Sequence, residues 1–169
     1  AEYLLQMEML TTVNTVNKIT EQSPLMLAAQ YGHTTCIQKL LQKGADAQLK
    51  DTQGKTALIY AALKGHTKIV TLLLEHMRST LSEKEFRETL NTVTPGKHKS
   101  ALIYAVGEGH EAATQKLLDY TPDITQKDMD GDSLLHIALY SKNKSAITRT
   151  LPLYSSRIRA PQMTFAFAS

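Results

Sequence analysis

The chain has 169 residues, with 19 Lys and Arg against 16 Asp and Glu, a formal net charge of +3, and 42% hydrophobic and 21% charged residues. This balance predicts one soluble globular unit and excludes an intrinsically disordered chain. No apolar run approaches the ~20 residues a membrane helix needs, since the densest stretch, Ile69 to Leu74, contains Thr71. The opening Ala1-Glu2-Tyr3 lacks the basic flank of a signal peptide. A lone cysteine, Cys36, excludes an internal disulfide framework and predicts a reducing, cytoplasmic setting. With no Trp and three Phe, no aromatic cage or base-stacking surface is expected.

At the N-terminus, Leu4, Leu5 and Met9 recur at helical spacing up to Val13. Residues 1–22 are therefore expected to be a partial unit or cap, the tail of an earlier repeat, and the chain a fragment of a larger protein. A repeat then begins. Ser23-Pro-Leu-Met-Leu-Ala-Ala29 is followed by Gly32-His33, Leu40-Leu41 and Gly44-Ala45-Asp46. The same order returns at Thr56-Ala-Leu-Ile-Tyr-Ala-Ala62, Gly65-His66 and Leu73-Leu74. It returns again at Ser100-Ala-Leu-Ile-Tyr-Ala-Val106, Gly109-His110, Leu117-Leu118 and Asp123, and finally at Ser133-Leu-Leu-His-Ile-Ala-Leu139. The period is 33 residues, with 11 inserted after the second unit.

Each unit reads as two short antiparallel helices. Ser23, Thr56, Ser100 and Ser133 are N-cap candidates, able to accept from a free backbone N–H. Pro24 sits at the first helical position, where a missing N–H is harmless. Apolar residues at i, i+3, i+4 then form one face, as in Leu25, Ala28 and Ala29. Gly32, Gly65 and Gly109 are placed to end the first helix in the left-handed conformation. The second helices carry Ile37, Leu40 and Leu41, then Val70, Leu73 and Leu74, then Leu117 and Leu118. Asp51-Thr-Gln-Gly54 and Asp128-Met-Asp-Gly131 read as tight turns. In the insertion, Ser82 and Glu85 form a capping box, with Leu81 and Phe86 as a hydrophobic staple. That predicts an extra helix at about 82–92, before Thr94-Pro95-Gly96.

The pattern resembles the ankyrin repeat. Residues 23–46 match that family's Thr-Pro-Leu-His-x-Ala-Ala…Gly-His…Leu-Leu…Gly-Ala-Asp signature nearly whole, residues 56–74 match it well, and 100–123 and 133–139 match it in part. The proline position holds Ala57, Ala101 and Leu134, and the tetrad histidine survives only as His136. In the last unit Lys142-Asn143 replaces Gly-His. The repeated Ala-Leu-Ile-Tyr-Ala is similar to units of long protist arrays, some fused to kinase-like domains. The resemblance implies an all-α, ankyrin-type solenoid of stacked helix-turn-helix repeats with short β-turn loops. The expected units are 23–55 (repeat 1), 56–99 (repeat 2 plus the inserted helix), 100–132 (repeat 3), 133–154 (a degenerate repeat 4) and 155–169 (an irregular tail).

Motifs that would carry chemistry fail at a required position. His33, His66 and His110 recur once per unit, about 10 Å apart on a stacked array, too far to share an ion with ~2.0 Å bonds. They are expected to bond loop backbone, and His76, His98 and His136 show no ligand spacing. Asp128-x-Asp130-x-Asp132 lacks a calcium loop's Gly and Glu, which would fall at Ser133 and Leu139. Gly54-Lys55-Thr56 has Leu49 where a phosphate loop needs glycine. Cys36 aligns with Ile69 and Ala113, so it is expected to be a small buried residue rather than a nucleophile. No catalytic set, cofactor or metal is expected.

In ankyrin-like arrays the turn tips and the exposed first-helix positions form a concave binding face. By phase those positions are Ile19, Thr20, Gln22, Gln30 and Tyr31, then Thr52, Gln53, Lys55, Leu63 and Lys64. In the later units they are Gly96, Lys97, Lys99, Gly107 and Glu108, then Met129, Asp130, Asp132, Tyr140 and Ser141. Tyr31, Leu63 and Tyr140 are candidate anchors. The expectation is a monomeric, non-catalytic scaffold binding another protein of unstated identity, with no small-molecule substrate. One alternative is a targeting or substrate-selecting segment of a larger kinase-like enzyme. Another is binding of nucleic acid or anionic lipid through residues 142–159, which carry Lys142, Lys144, Arg149, Arg157 and Arg159 and no acid.

Overall fold

The computed structural model describes residues 12–158, with backbone alone at positions 153, 154 and 156–158. Among these residues the helices run α1 Pro24–Tyr31, α2 Thr34–Gln42, α3 Ala57–Lys64, α4 Thr67–Thr80, α5 Glu83–Leu90, α6 Ala101–Gly107, α7 Glu111–Leu118, α8 Leu134–Tyr140 and α9 Lys144–Ile158. Extended pairing among them is confined to an isolated bridge between Lys127 and Ser133. Helices α1, α3, α6 and α8 pack in one row, and α2, α4, α7 and α9 in a second row behind it. This is an all-α solenoid of helix pairs.

Local chemistry starts and stops each pair. The hydroxyls of Ser23, Thr56 and Ser100 accept from the backbone N–H groups of Met26, Ile59 and Ile103 at 3.3, 3.3 and 3.4 Å. Such a cap contributes about 1 kcal/mol. Ser133 departs from the pattern. Its hydroxyl faces His136 Nδ1 at 2.9 Å, and its side chain makes no cap bond. Gly32, Gly65 and Gly109 turn the chain with φ of 77°, 71° and 77°. Lys142 takes the fourth place at φ 55°, and Asn143 stands in for the histidine, accepting from Ala146 N–H at 3.0 Å. Ala29, Ala61, Ala62, Ala105 and Ala138 are wholly buried along the inner row. Their small side chains let the helices close up, and the long side chains of Leu73, Leu74 and Leu117 fill the space behind. In the insertion Ser82 and Glu85 bond reciprocally, at 3.3 Å (Glu85 N–H to Ser82 Oγ) and 3.0 Å (Ser82 N–H to Glu85 Oε2). Phe86 and Leu90 of α5 then enter the core.

A second, longer period is superimposed on the 33-residue one. Positions 77 apart play the same parts. The Asn14 side chain accepts from Asp46 N–H at 2.8 Å, and Asn91 accepts from Asp123 N–H at 2.7 Å. The turns alternate in length. Turn 1 (Asn17–Gln22) and turn 3 (Thr94–Lys99) are closed across six residues, whereas turn 2 (Asp51–Lys55) and turn 4 (Asp128–Asp132) are closed across five. The six-residue turns place Glu21 and His98 at positive φ, and the five-residue turns place Gly54 and Gly131 there. The outer helices alternate too, α4 and α9 having 14 and 15 residues where α2 and α7 have 9 and 8. The chain therefore repeats as pairs of units. Of the 11 inserted residues, one lies in turn 3.

Two expectations meet a different structure. Cys36 is exposed rather than buried. Its counterparts Ile69 and Ala113 are buried because α4 packs on α2 and α7 packs on α4. In α2 the same phase lies on the side toward the N-terminal end of the array. The stretch expected to be irregular from 155 onward is helical through Ile158. The rest of that tail, and Leu4, Leu5 and Met9 of the N-terminal unit, lie outside the described residues.

Candidate protein-binding groove

The turns stack tip to tip along one edge of the inner row. Thr52 N–H in turn 2 donates to Thr20 O in turn 1 at 3.2 Å. Met129 N–H in turn 4 donates to Lys97 O in turn 3 at 3.3 Å. The residue of turn 3 that would donate to turn 2 is Pro95, which has no N–H. Among the described residues no backbone bond joins turns 2 and 3. Their contact is Gly54 against Pro95, so close that a Cβ on Gly54 would lie 2.4 Å from the proline Cδ. Beside this break lies a groove of about 600 Å³.

Turn 2 contributes Thr52, Gln53 and Lys55 to the groove, and turn 3 contributes Thr94, Pro95, Gly96, Lys97 and Lys99. The floor is Leu63 at the end of α3, with Ile103, Tyr104 and Gly107 of α6, and Glu108 closes one end. Three cations thus meet one anion. Lys99 Nζ is 3.9 Å from Asp128 Oδ2. Lys55 Nζ lies 5.4 Å from the centre of the Tyr60 ring. Among the described residues neither Lys55 nor Lys97 has an ion-pair partner.

Turn 2 is braced from behind. Asp51 Oδ1 accepts from the N–H groups of Gln53 and Lys55 at 2.9 and 2.8 Å. Its Oδ2 accepts from the Tyr60 hydroxyl at 2.5 Å, and Gln22 Nε2 donates to that hydroxyl at 2.7 Å. Burial, then the Asp51 hydrogen bond, push the Tyr60 hydroxyl up to about 12. The wall that carries Lys55 is therefore a rigid one. Turn 3 has a lighter brace, Thr94 Oγ1 lying 3.4 Å from the Tyr104 hydroxyl.

The groove brings together Thr52, Gln53, Lys55, Leu63, Lys97, Lys99 and Glu108. Gly96 and Gly107 of the expected face line it as well, and the remaining positions lie elsewhere. Gln30 lends its carbonyl to His66 Nε2 at 3.3 Å, and Leu63 lends its own to His110 Nε2 at 3.0 Å. These two histidines tie each unit to the one before. His33 instead stacks on Tyr31 with ring centres 6.3 Å apart. Tyr31 belongs to a separate apolar groove at the N-terminal end, with Leu27, His33 and Cys36. Lys64 is exposed at the end of α3. Met129 and Asp130 are exposed and Asp132 half-exposed on turn 4, and Tyr140 is 73% exposed at the end of α8. Asp128 serves turn 4 by accepting from the N–H groups of Asp130 and Asp132. Among the described residues no group of three or more His, Cys, Asp or Glu could hold a metal ion. The reading by phase did not include Thr94, Pro95, Ile103 and Tyr104. The available signal was the extra residue in Thr94-Pro-Gly-Lys-His-Lys99.

The fold is a solenoid of stacked helix pairs with its turns aligned along one edge. The family model "Ankyrin repeats (3 copies)" matches residues 1–85, and the chain belongs to the ankyrin repeat family. Similar proteins include Probable E3 ubiquitin-protein ligase XBOS33 of Oryza sativa subsp. japonica, 32% identical over 107 residues, covering 63% of this chain and 19% of that protein. Rabankyrin-5 of Mus musculus is 30% identical over 126 residues, covering 75% and 10%. The nuclear factor NF-kappa-B p105 subunit of Gallus gallus is 29% identical over 126 residues, covering 72% and 12%. The chain thus spans between a tenth and a fifth of the length of these relatives. Ankyrin repeats are in general non-catalytic protein–protein interaction modules. No described helix is long and apolar enough to cross a membrane.

Proposed function

We propose that this chain is a non-catalytic scaffold that binds a partner protein through its concave face and turn tips, centred on the groove between turns 2 and 3. The observation that supports this is the groove itself, a slot with an apolar floor and, at its rim, Lys55 and Lys97, which have no ion-pair partner among the described residues. Apolar contact in such a slot supplies affinity, and the rim sets orientation. The lone Cys36, with no second cysteine to pair with in the chain, supports work in a reducing, cytoplasmic compartment. The basic stretch at 142–159 is a weaker candidate, because Arg149 is tied to Asp119 at 2.8 Å and to the Gln115 carbonyl at 3.1 Å.

The test is affinity capture with the wild type and with a variant carrying Thr52→Ala, Lys55→Ala and Lys64→Ala. These side chains stand off the stacking core, so thermal stability should move by no more than about 0.5 kcal/mol each. Capture of the partner should fall. If the variant retains every partner the wild type captures, the concave-face reading is refuted.

A further inference from the structure

We propose that the groove between turns 2 and 3 takes an acidic segment of the partner protein, carboxylates resting on Lys55, Lys97 and Lys99 and an apolar side chain on Leu63 and Ile103. The inference rests on the concave-face reading and adds the chemistry of the ligand.

Charge along the turn tips is banded. Turn 1 carries Lys18 and Glu21 and is neutral, turn 2 carries Lys55, turn 3 carries Lys97 and Lys99, and turn 4 carries Asp130 and Asp132. The cationic band coincides with the groove and is bounded by a neutral turn 1 on one side and by acid in turn 4 on the other. Glu108 is the one acid lining the groove, against three lysines, and the acids behind the turns do not quench the band. Asp51 already holds the Tyr60 hydroxyl and two backbone N–H groups. Asp128 is 95% buried at its side chain and reaches Lys99 alone, at 3.9 Å. Lys55 and Lys99 are only partly exposed, and charges at a recessed, partly dry site act more strongly than on open surface. The missing tip-to-tip bond gives an extended segment a place to cross between the turns. A flat membrane or a nucleic-acid duplex would instead meet Asp130 and Asp132 of turn 4 together with the lysines. A narrow acidic segment avoids that acidic flank.

The probe is a fluorescein-labelled nonapeptide with Glu on either side of a central Leu, compared by fluorescence anisotropy with Gln-for-Glu and Lys-for-Glu versions, against the full chain. The acidic peptide should bind about tenfold tighter than the Gln version, with the advantage shrinking as salt rises. The variant Lys55→Gln/Lys97→Gln/Lys99→Gln, shown to be folded by its melting curve, should weaken the acidic peptide by about tenfold or more. Lys142→Gln/Lys144→Gln, far from the groove, should leave it unchanged. Equal binding of acidic and Gln peptides overturns the acidic assignment, as does tighter binding of phosphatidylserine vesicles or duplex DNA than of the acidic peptide. In each case the concave-face reading stands if partner capture still depends on Thr52, Lys55 and Lys64. If no peptide binds at all, the acidic assignment falls on the same terms. If partner capture ignores those three residues, the underlying reading fails instead.

Discussion

Two glycines separate the effect of the left-handed turn from that of the inter-unit histidine. Gly65 and Gly109 have nearly the same backbone, φ 71° and 77°. A Cβ on Gly109 would meet nothing closer than Ser141 O at 4.0 Å. A Cβ on Gly65 would lie 2.6 Å from His110 Nδ1 and 2.8 Å from Cγ and Cε1. Gly109→Ala should therefore cost only the left-handed conformation, about 1 kcal/mol. Gly65→Ala adds a displaced imidazole. That breaks the bond from His110 to the Leu63 carbonyl, about 1 kcal/mol for a half-buried pair, and loosens the packing of unit on unit. The total is about 2–3 kcal/mol. At roughly 2–4 °C per kcal/mol for a chain of this size, Tm should fall by about 3 °C for Gly109→Ala and about 6–9 °C for Gly65→Ala. Urea unfolding followed by far-UV circular dichroism measures the same difference. In a His110→Ala background the excess at Gly65 should vanish, because the ring it would strike is gone. Equal costs for the two glycines in the wild-type background would refute the histidine-packing argument.

Two further outcomes follow from caps and titration. Ser82→Ala should weaken α5 by about 1 kcal/mol, read as faster hydrogen exchange at Phe86 to Leu90. The Ser82 hydroxyl, then its backbone N–H, hold the Glu85 carboxyl below its usual range. That contribution is full above the ordinary carboxylate pKa and lost as pH falls through the folded one, so acid should lower the protection factors of the same amides, taken against intrinsic exchange at each pH, in the wild type and less in Ser82→Ala. Tyr60 runs the other way. Its hydroxyl is held neutral up to about 12, so unfolding releases its proton between pH 10 and 12 and stability falls as pH rises through that window. The loss of Tm between pH 9 and 11 should be smaller in Tyr60→Phe, and an identical loss would show that Tyr60 does not carry it.

Much of the fold was legible because the same signals recur. Ser23, Thr56 and Ser100 stand at one phase and Gly32, Gly65 and Gly109 at another, each with a single backbone duty. Ser82 and Glu85 were readable without any repeat, since a capping box is local. What was not legible depends on neighbours. Cys36 occupies the same phase as Ile69 and Ala113, and position in the row, not residue type, decides whether that phase is covered. The Gln22–Tyr60–Asp51 chain joins residues up to 38 apart through side chains that no spacing rule relates. The groove was illegible for a different reason. It arises from a missing donor at Pro95, and a missing hydrogen bond leaves no pattern in a sequence until the turns are seen to be stacked.

The 77-residue period explains why the break falls where it does. A six-residue turn accepts from the five-residue turn after it, through Thr20 and then through Lys97. Both bonds join the first unit of a pair to the second. The junction from one pair to the next is of another kind, because there the inserted helix and the extra turn residue intervene. Among the described turns it occurs once, between turns 2 and 3, and it is there that Pro95 replaces an N–H donor. The sequence itself carries the period back to the N-terminus, where Leu4, Glu8, Thr12, Asn14, Thr15 and Val16 stand 77 positions before Leu81, Glu85, Thr89, Asn91, Thr92 and Val93. Units within a pair are thus joined by backbone at their tips, while pairs meet through side chains and a gap. Backbone bonding within pairs stiffens the scaffold, and the gap between pairs leaves polar groups and an apolar floor open to a ligand. Alternating turn length, with Pro95 in turn 3, ties the units of each pair together and leaves the junction between turns 2 and 3 open.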